Sequence, residues 1–199
     1  MTPTAQLPTP NSDRVLILRI ELKWITPTIW RQVAVPESIT LGNLHQVIQA
    51  TMGWTDTHLH EFEIAGDSYG VSDSSAGWKP PIIAQKRKTL ISALRGNRAF
   101  RYVYDFRDGW EHLIRLEKII PADVCPQLPY CIDGANARPP ENIGGMPGYD
   151  EFLTALNDAD HPEHGNVLEW FGDNDFDPTT FDCVRINRSL KQIRFQRAG

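Results

Sequence analysis

Between Val15 and Trp24 the aliphatic residues Leu16, Leu18, Ile20 and Leu22 alternate with Ile17, Arg19, Glu21 and Lys23. A two-residue period sends the first set to one side of an extended chain, so this segment is a strand with one core-facing side. Such a strand needs a second layer to cover it. The cover is legible further on. From Thr40, a suitable N-cap, to Gly53, a suitable stop, the residues Leu41, Leu44, Val47, Ile48 and Met52 fall on one helical stripe. Between the two, Ile25-Thr26-Pro27-Thr28 makes a turn and Ile29 to Val35 returns as a second strand.

After the helix, His58 to Ala65 reads as a third strand, followed by a Gly66-Asp67 turn and a short Tyr69-Gly70-Val71 segment. Residues 72–88 form a polar loop, and Thr89 to Leu94 about one helical turn. Ala99 to Phe106 and Trp110 to Ile120 are strong strands, joined by Asp108-Gly109, a good tight-hairpin dipeptide. This element order predicts an α+β fold with a β-grasp-like, ubiquitin-type sheet-and-helix core. A two-layer arrangement with another strand order is the alternative. Residues 1–13, rich in Thr and Pro, read as a disordered tail; residues 14–199 read as one domain. Within it, 14–120 is sheet-rich, 121–149 is a Pro/Gly-rich loop without a convincing period, and 150–195 is a helical cap.

Charge narrows the partners. The formal net charge is -5 and the sequence pI about 5.7, so nothing overall draws the chain to a phosphate backbone. The short run Lys86-Arg87-Lys88 reads as a solvated loop, and nucleic acid is not an expected partner. The aliphatic run Val15-Leu16-Ile17-Leu18 is stopped by Arg19, so no membrane partner is expected either. No secretion signal is legible, and three sparsely placed cysteines, Cys125, Cys131 and Cys183, suit a reducing cytoplasm. The expected partner is a protein or a small molecule.

Four segments carry a family resemblance. They are Ile29-Trp30-Arg31, the stretch Gly53-Trp54-Thr55-Asp56-Thr57-His58-Leu59-His60-Glu61-Phe62, the stretch Tyr104-Asp105-Phe106-Arg107-Asp108-Gly109-Trp110-Glu111-His112, and Pro139-Pro140-Glu141-Asn142-Ile143-Gly144-Gly145 continuing to Gly148-Tyr149. Together they resemble the plasmid pRiA4b Orf-3-like family, over about Leu16 to Leu190. The resemblance implies no established biochemical activity, although some family labels point to mobile elements or resolvases. Arg107 stands where the family commonly has Gly, Asn142 where it has Asp, and Ala137 where a Cys is frequent.

Asp105, Asp108, Glu111 and His112, with Glu141 on the stiff loop after Pro139-Pro140, are the candidate catalytic residues. Carboxylates and an imidazole on one face suit acid–base work or a divalent ion, hence a metal-dependent hydrolase as a rival reading. On paired strands Asp108, Trp110 and His112 would share a face. The structural reading of the same residues is that Asp108 turns the hairpin, Trp110 fills the core and His112 hydrogen-bonds within it. Trp110, Asp133, His58 and His60 are the candidate binding surface. The 121–148 loop is expected to lie on the hairpin, bringing Glu141 and Asp133 to Asp108 and His112. His58, His60 and His112 could make a zinc site only if their strands are neighbours. Cys125/Cys131 with His161/His164 miss zinc spacing, and the calcium-like run Asp173-Asn174-Asp175 lacks its Gly and closing Glu. No motif requires a cofactor. The leading expectation is an interaction or ligand-binding module; the rivals are the metal-dependent hydrolase and an accessory DNA-associated protein of mobile elements.

Overall fold

The computed structural model describes residues 14–71, 82–125, 127–172 and 176–195. The tail, most of the 72–88 loop and the calcium-like run lie outside the described residues. Alternation makes the first strand, β1 (Arg14–Leu22), as expected: Leu16, Leu18, Ile20 and Leu22 all enter the main buried cluster. β2 (Trp30–Pro36) folds back antiparallel to it. Helix α1 (Leu41–Met52) then covers the leucine side. Thr40 Oγ1 accepts the Asn43 amide, and Gly53 stops the helix in a left-handed conformation, φ 81°, donating its amide to Gln49 O.

Next come β3 (His60–Ile64), β4 (Asp67–Gly70), the two-residue β5 (Ile83–Ala84) and the short α2 (Leu90–Leu94). β6 (Ala99–Tyr104) and β7 (Trp110–Pro121) form the central hairpin. A single 3-10 turn, Ala122–Val124, leads to β8 (Tyr130–Ala135). The chain ends in α3 (Gly145–Asn157), α4 (His164–Phe171) and α5 (Cys183–Leu190). The eight strands among the described residues lie in one sheet, in the order β5-β4-β3-β6-β7-β1-β2-β8. No helix among the described residues is long and apolar enough to cross a membrane.

The α+β class stands, but the pairing does not confirm the ubiquitin-type specifics. β1 runs antiparallel to both its neighbours, and the parallel pair is β4 with β5 at one edge. Local alternation fixes which face of a strand is buried and leaves its neighbour open. The region 121–149 also differs from a structureless loop. Its middle is β8, paired with β2, with the Cys131 backbone held twice by one side chain of α5: Asn187 Oδ1 accepts its N–H at 2.8 Å and Asn187 Nδ2 donates to its C=O at 2.9 Å. That amide takes the place of the next strand and blunts the sheet edge. α3 begins at Gly145 because a helix leaves its first N–H groups unbonded, so Pro147 costs it nothing in the first turn. A Cβ on Gly148 would lie 1.9 Å from Ile143 O, which only glycine avoids.

Arg31 ties these parts together. Its Nε donates to Thr51 O at the end of α1 (3.1 Å), its Nη1 to Trp30 O and Ala135 O (2.7 and 2.8 Å), and its Nη2 to Asn136 O (2.8 Å). Burial pulls its pKa down to about 10, and the carbonyls at a helix C-terminus are the natural partners for that charge.

Candidate functional site

The stretch 53–59 between α1 and β3 is held from below by aromatic rings. Trp54 stacks on Tyr104 (centroids 4.9 Å) and meets His112 edge-on at 5.2 Å, with Trp110 6.3 Å away. It is held from the side by Glu141, whose Oε1 accepts the Thr55 amide (2.9 Å), the Thr55 hydroxyl (3.3 Å) and the Tyr104 hydroxyl (3.4 Å). The Tyr104 oxygen in turn accepts the Thr57 amide at 3.2 Å. His58 Nε2 stands 3.5 Å from Asp105 Oδ2 and 3.8 Å from Glu141 Oε2, near enough for attraction when protonated. The structure thus brings His58, Asp105 and Glu141 together from three separate motifs.

Asp105 has a positive φ of 57° and closes the β6–β7 connection. Its Oδ1 accepts the Arg107 amide at 3.0 Å, and its backbone oxygen takes the Gly109 amide at 2.6 Å. The connection is therefore residues 105–109 and not a two-residue turn, so Asp108 is off the strand and shares no face with His112. Asp108 Oδ2 instead accepts the Gly144 amide (3.2 Å), which lays the 139–145 segment on the hairpin. A Cβ on Gly145 would sit 2.5 Å from Asp108 O.

The other candidates are dispersed. Trp110 and His112 share the α1 face and are core residues, 2% and 0% exposed, so Trp110 is no open platform. His112 Nδ1 donates to Tyr102 O at 3.3 Å, and burial holds its pKa down to about 4. Glu111 points to the opposite face and pairs with Arg101 at 3.1 Å. Asp133 lies on β8, separated from β7 by β1 and β2, where Oδ1 accepts the Gly134 amide. His58 precedes β3, so it and His60 are not alternate residues of one strand, and the three-histidine zinc arrangement does not form.

His60 has other company. Its ring lies flat on that of His45 from α1, with centroids 3.4 Å apart and planes 7° from parallel. His45 Nε2 is 2.7 Å from Asp56 Oδ1, and Nδ1 is 2.8 Å from the Tyr102 hydroxyl. A carboxylate only accepts, so Nε2 carries the proton and Nδ1 accepts from Tyr102. Gln49 Nε2 donates to the Tyr102 oxygen (3.2 Å), and Gln49 Oε1 accepts the Asp56 amide (3.0 Å), closing a ring of four hydrogen bonds. Burial lowers the pKa of both histidines, that of His60 to about 4, so both are neutral at pH 7. His60 Nε2 lies within 3.0 Å of the Gln85 amide.

These groups open on a cavity of about 510 Å³ between α1, the 53–59 stretch, β3 and β5, with His45, Asp56, His58, His60 and Lys86 in its wall. That volume is within the range of small-molecule sites. Asp56 and His45 are functional candidates that sequence reasoning missed. The available signal was the pair His45 and Gln49, four apart beside the apolar stripe of α1 and so stacked on one side of the helix.

Glu141 offers a test of this construction. In Glu141→Ala the Thr55 amide loses its acceptor, so Thr55 and Thr57 should exchange their amide hydrogens roughly tenfold faster, with global stability lowered by only about 1 kcal/mol. Hydrogen–deuterium exchange with a thermal melt measures both. Unchanged exchange would mean that Trp54 alone fixes the segment.

In this α+β sheet-and-helix frame, residues from three motifs fix the 53–59 stretch beside the cavity. Residues 14–185 match the family described as plasmid pRiA4b ORF-3-like protein, and the chain belongs to that family. It is 39% identical over 181 residues to "Uncharacterized protein y4hQ" of Sinorhizobium fredii (strain NBRC 101917 / NGR234), covering 90% of this chain and 92% of that protein. Its fold is similar to the crystal structure of MM3350, a protein of unknown function from Methanosarcina mazei Go1. That comparison has a TM-score of 0.77 at 40% identity and covers 86% of this chain and 96% of that one.

Proposed function

We propose that the chain is a ligand-binding module and that its ligand is a small polar molecule or ion carrying positive charge or hydrogen-bond donors, held in the cavity at Asp56. The observation that carries this reading is the fixation of Asp56. Its amide and one carboxylate oxygen are tied into the buried ring, its segment is pinned by Trp54 and Glu141, and 54% of its side chain stays exposed at the cavity wall. A charged group held rigidly with its open side toward a cavity is what selective binding needs. The hydrolase reading has less support, because Glu111 and His112 do not join Asp105 and Glu141.

The test is a thermal-shift panel of primary amines, amino acids and polyols, run on the full chain with EDTA present. At least one class should raise the melting temperature of the wild type. Asp56→Asn should abolish that rise while melting alone near the wild-type temperature, since Asn tolerates the left-handed φ of 57° at this position. No response anywhere in the panel, or a response that survives in Asp56→Asn, would overturn the reading.

A further inference from the structure

We infer that His45, Asp56 and His60 are the ligands of a divalent transition-metal site in this cavity; this rests on the binding reading above and names the ligand class. One donor atom from each of the three lies within 4.8 Å of the other two. Metal–nitrogen and metal–oxygen bonds of about 2.0–2.2 Å in a tetrahedral site put donors about 3.3–3.6 Å apart, so the three have to draw together by up to about 1.5 Å. Two imidazoles and one carboxylate suit zinc, cobalt or nickel better than magnesium or calcium, which take oxygen. Three protein ligands also leave coordination positions open toward the cavity, the pattern of a site that receives something further.

The arrangement around the three is that of supported ligands. His45 comes from α1, Asp56 from a left-handed turn and His60 from the first residue of β3, so the site forms only when those elements are packed. Each already has a second partner that orients it: the Tyr102 hydroxyl for His45 Nδ1, the Gln49 amide oxygen for the Asp56 backbone, and the Gln85 amide for His60. Outer partners of this kind set ring orientation and tautomer at metal sites. Both ring nitrogens of His45 are bonded, so loading has a defined proton shift. Nε2 gives its electron pair to the ion, the proton it carried is replaced by one on Nδ1, and Nδ1–H donates a hydrogen bond to the Tyr102 oxygen, whose own hydrogen turns away from His45. The imidazole stays neutral and no proton is lost.

The stacked rings set one further requirement. Lone pairs lie in the ring planes, and two parallel planes 3.4 Å apart cannot both contain one ion. His60 has to turn out of the stack, taking its hydrogen bond to Gln85 with it. Gln85 follows directly on the two-residue strand β5, where its backbone is held by Gly70 O and the Lys88 amide, so only its side chain has to follow the ring.

Cobalt(II) titration of the chelator-stripped full chain, followed by visible absorption, tests the inference. One equivalent should bind, with the d–d bands of a four- or five-coordinate ion, and zinc should displace it. Asp56→Asn and His60→Asn should each weaken cobalt binding by at least about tenfold while keeping the wild-type circular dichroism, and His161→Asn should leave it unchanged. Nitrogen-15 spectra of the histidine rings should show the proton of His45 moving from Nε2 to Nδ1 on loading. Absence of one-equivalent binding in the wild type, or binding that persists in Asp56→Asn and His60→Asn, overturns the metal site. The EDTA-buffered panel is independent of that result, so the cavity reading stands or falls separately.

Discussion

Trp110→Ala is expected to lower the unfolding free energy by about 3–5 kcal/mol, the range for removing a large buried aromatic side chain. Trp110 is 2% exposed and pairs across the hairpin with Tyr104, the ring on which Trp54 stacks. Deleting it empties the space behind the segment that carries Asp56 and His58, so the loss includes a cavity as well as lost transfer energy. Trp24→Ala is the control. Trp24 is 70% exposed, and its removal should cost within about 0.5 kcal/mol. Urea unfolding of the two variants measures the difference. Equal, small effects would mean that the hairpin face is not the core of this molecule.

Acidification from pH 7 to pH 4 should remove roughly 3 kcal/mol of stability through His112 alone. Burial holds its pKa in the folded protein down to about 4, against 6.5 for an ordinary histidine. Between those two values the unfolded chain binds a proton that the folded protein does not, so stability is complete above pH 6.5 and falls as pH drops toward 4. His60 is displaced in the same direction, also to about 4, and steepens the curve. Carboxylates contribute below pH 5, so the decisive quantity is a difference. His112→Phe should flatten the profile between pH 6.5 and 4 relative to wild type, whatever it does at neutral pH. Identical slopes in the two proteins would refute the assignment.

The contrast between what was and was not legible follows from the range of the interactions. Leu16 to Leu22 and Leu41 to Met52 announce themselves because burial repeats with the period of the element itself. β8 does not. Its pairing follows from β2 on one side and Asn187 on the other, while Pro129, Asp133 and Gly134 give its own sequence the look of a loop. The strand order was equally hidden, since alternation says nothing about neighbours. At the site, His58, Asp105 and Glu141 stood out in recognisable motifs. His45 sits one place off the apolar stripe and passes for a boundary residue, while Asp56, though in the same motif stretch as His58, lies in a left-handed turn and passes for loop punctuation. Only the folded chain shows that they share a hydrogen bond.

Arg31 gives the molecule a preferred direction of failure. Its four bonds go to main-chain carbonyls, and the neighbouring joint between Asn187 and Cys131 is amide to backbone. None of these acceptors titrates in acid, so the seam joining the end of α1 to β2, β8 and α5 keeps the same partners at low pH as at neutral pH. The opposite flank of α1 is built on His45, His60 and His112, whose neutrality is a condition of their burial. Protons therefore act on one flank and leave the other fastened: the histidine flank opens first, while α5 remains attached to the far edge of the sheet.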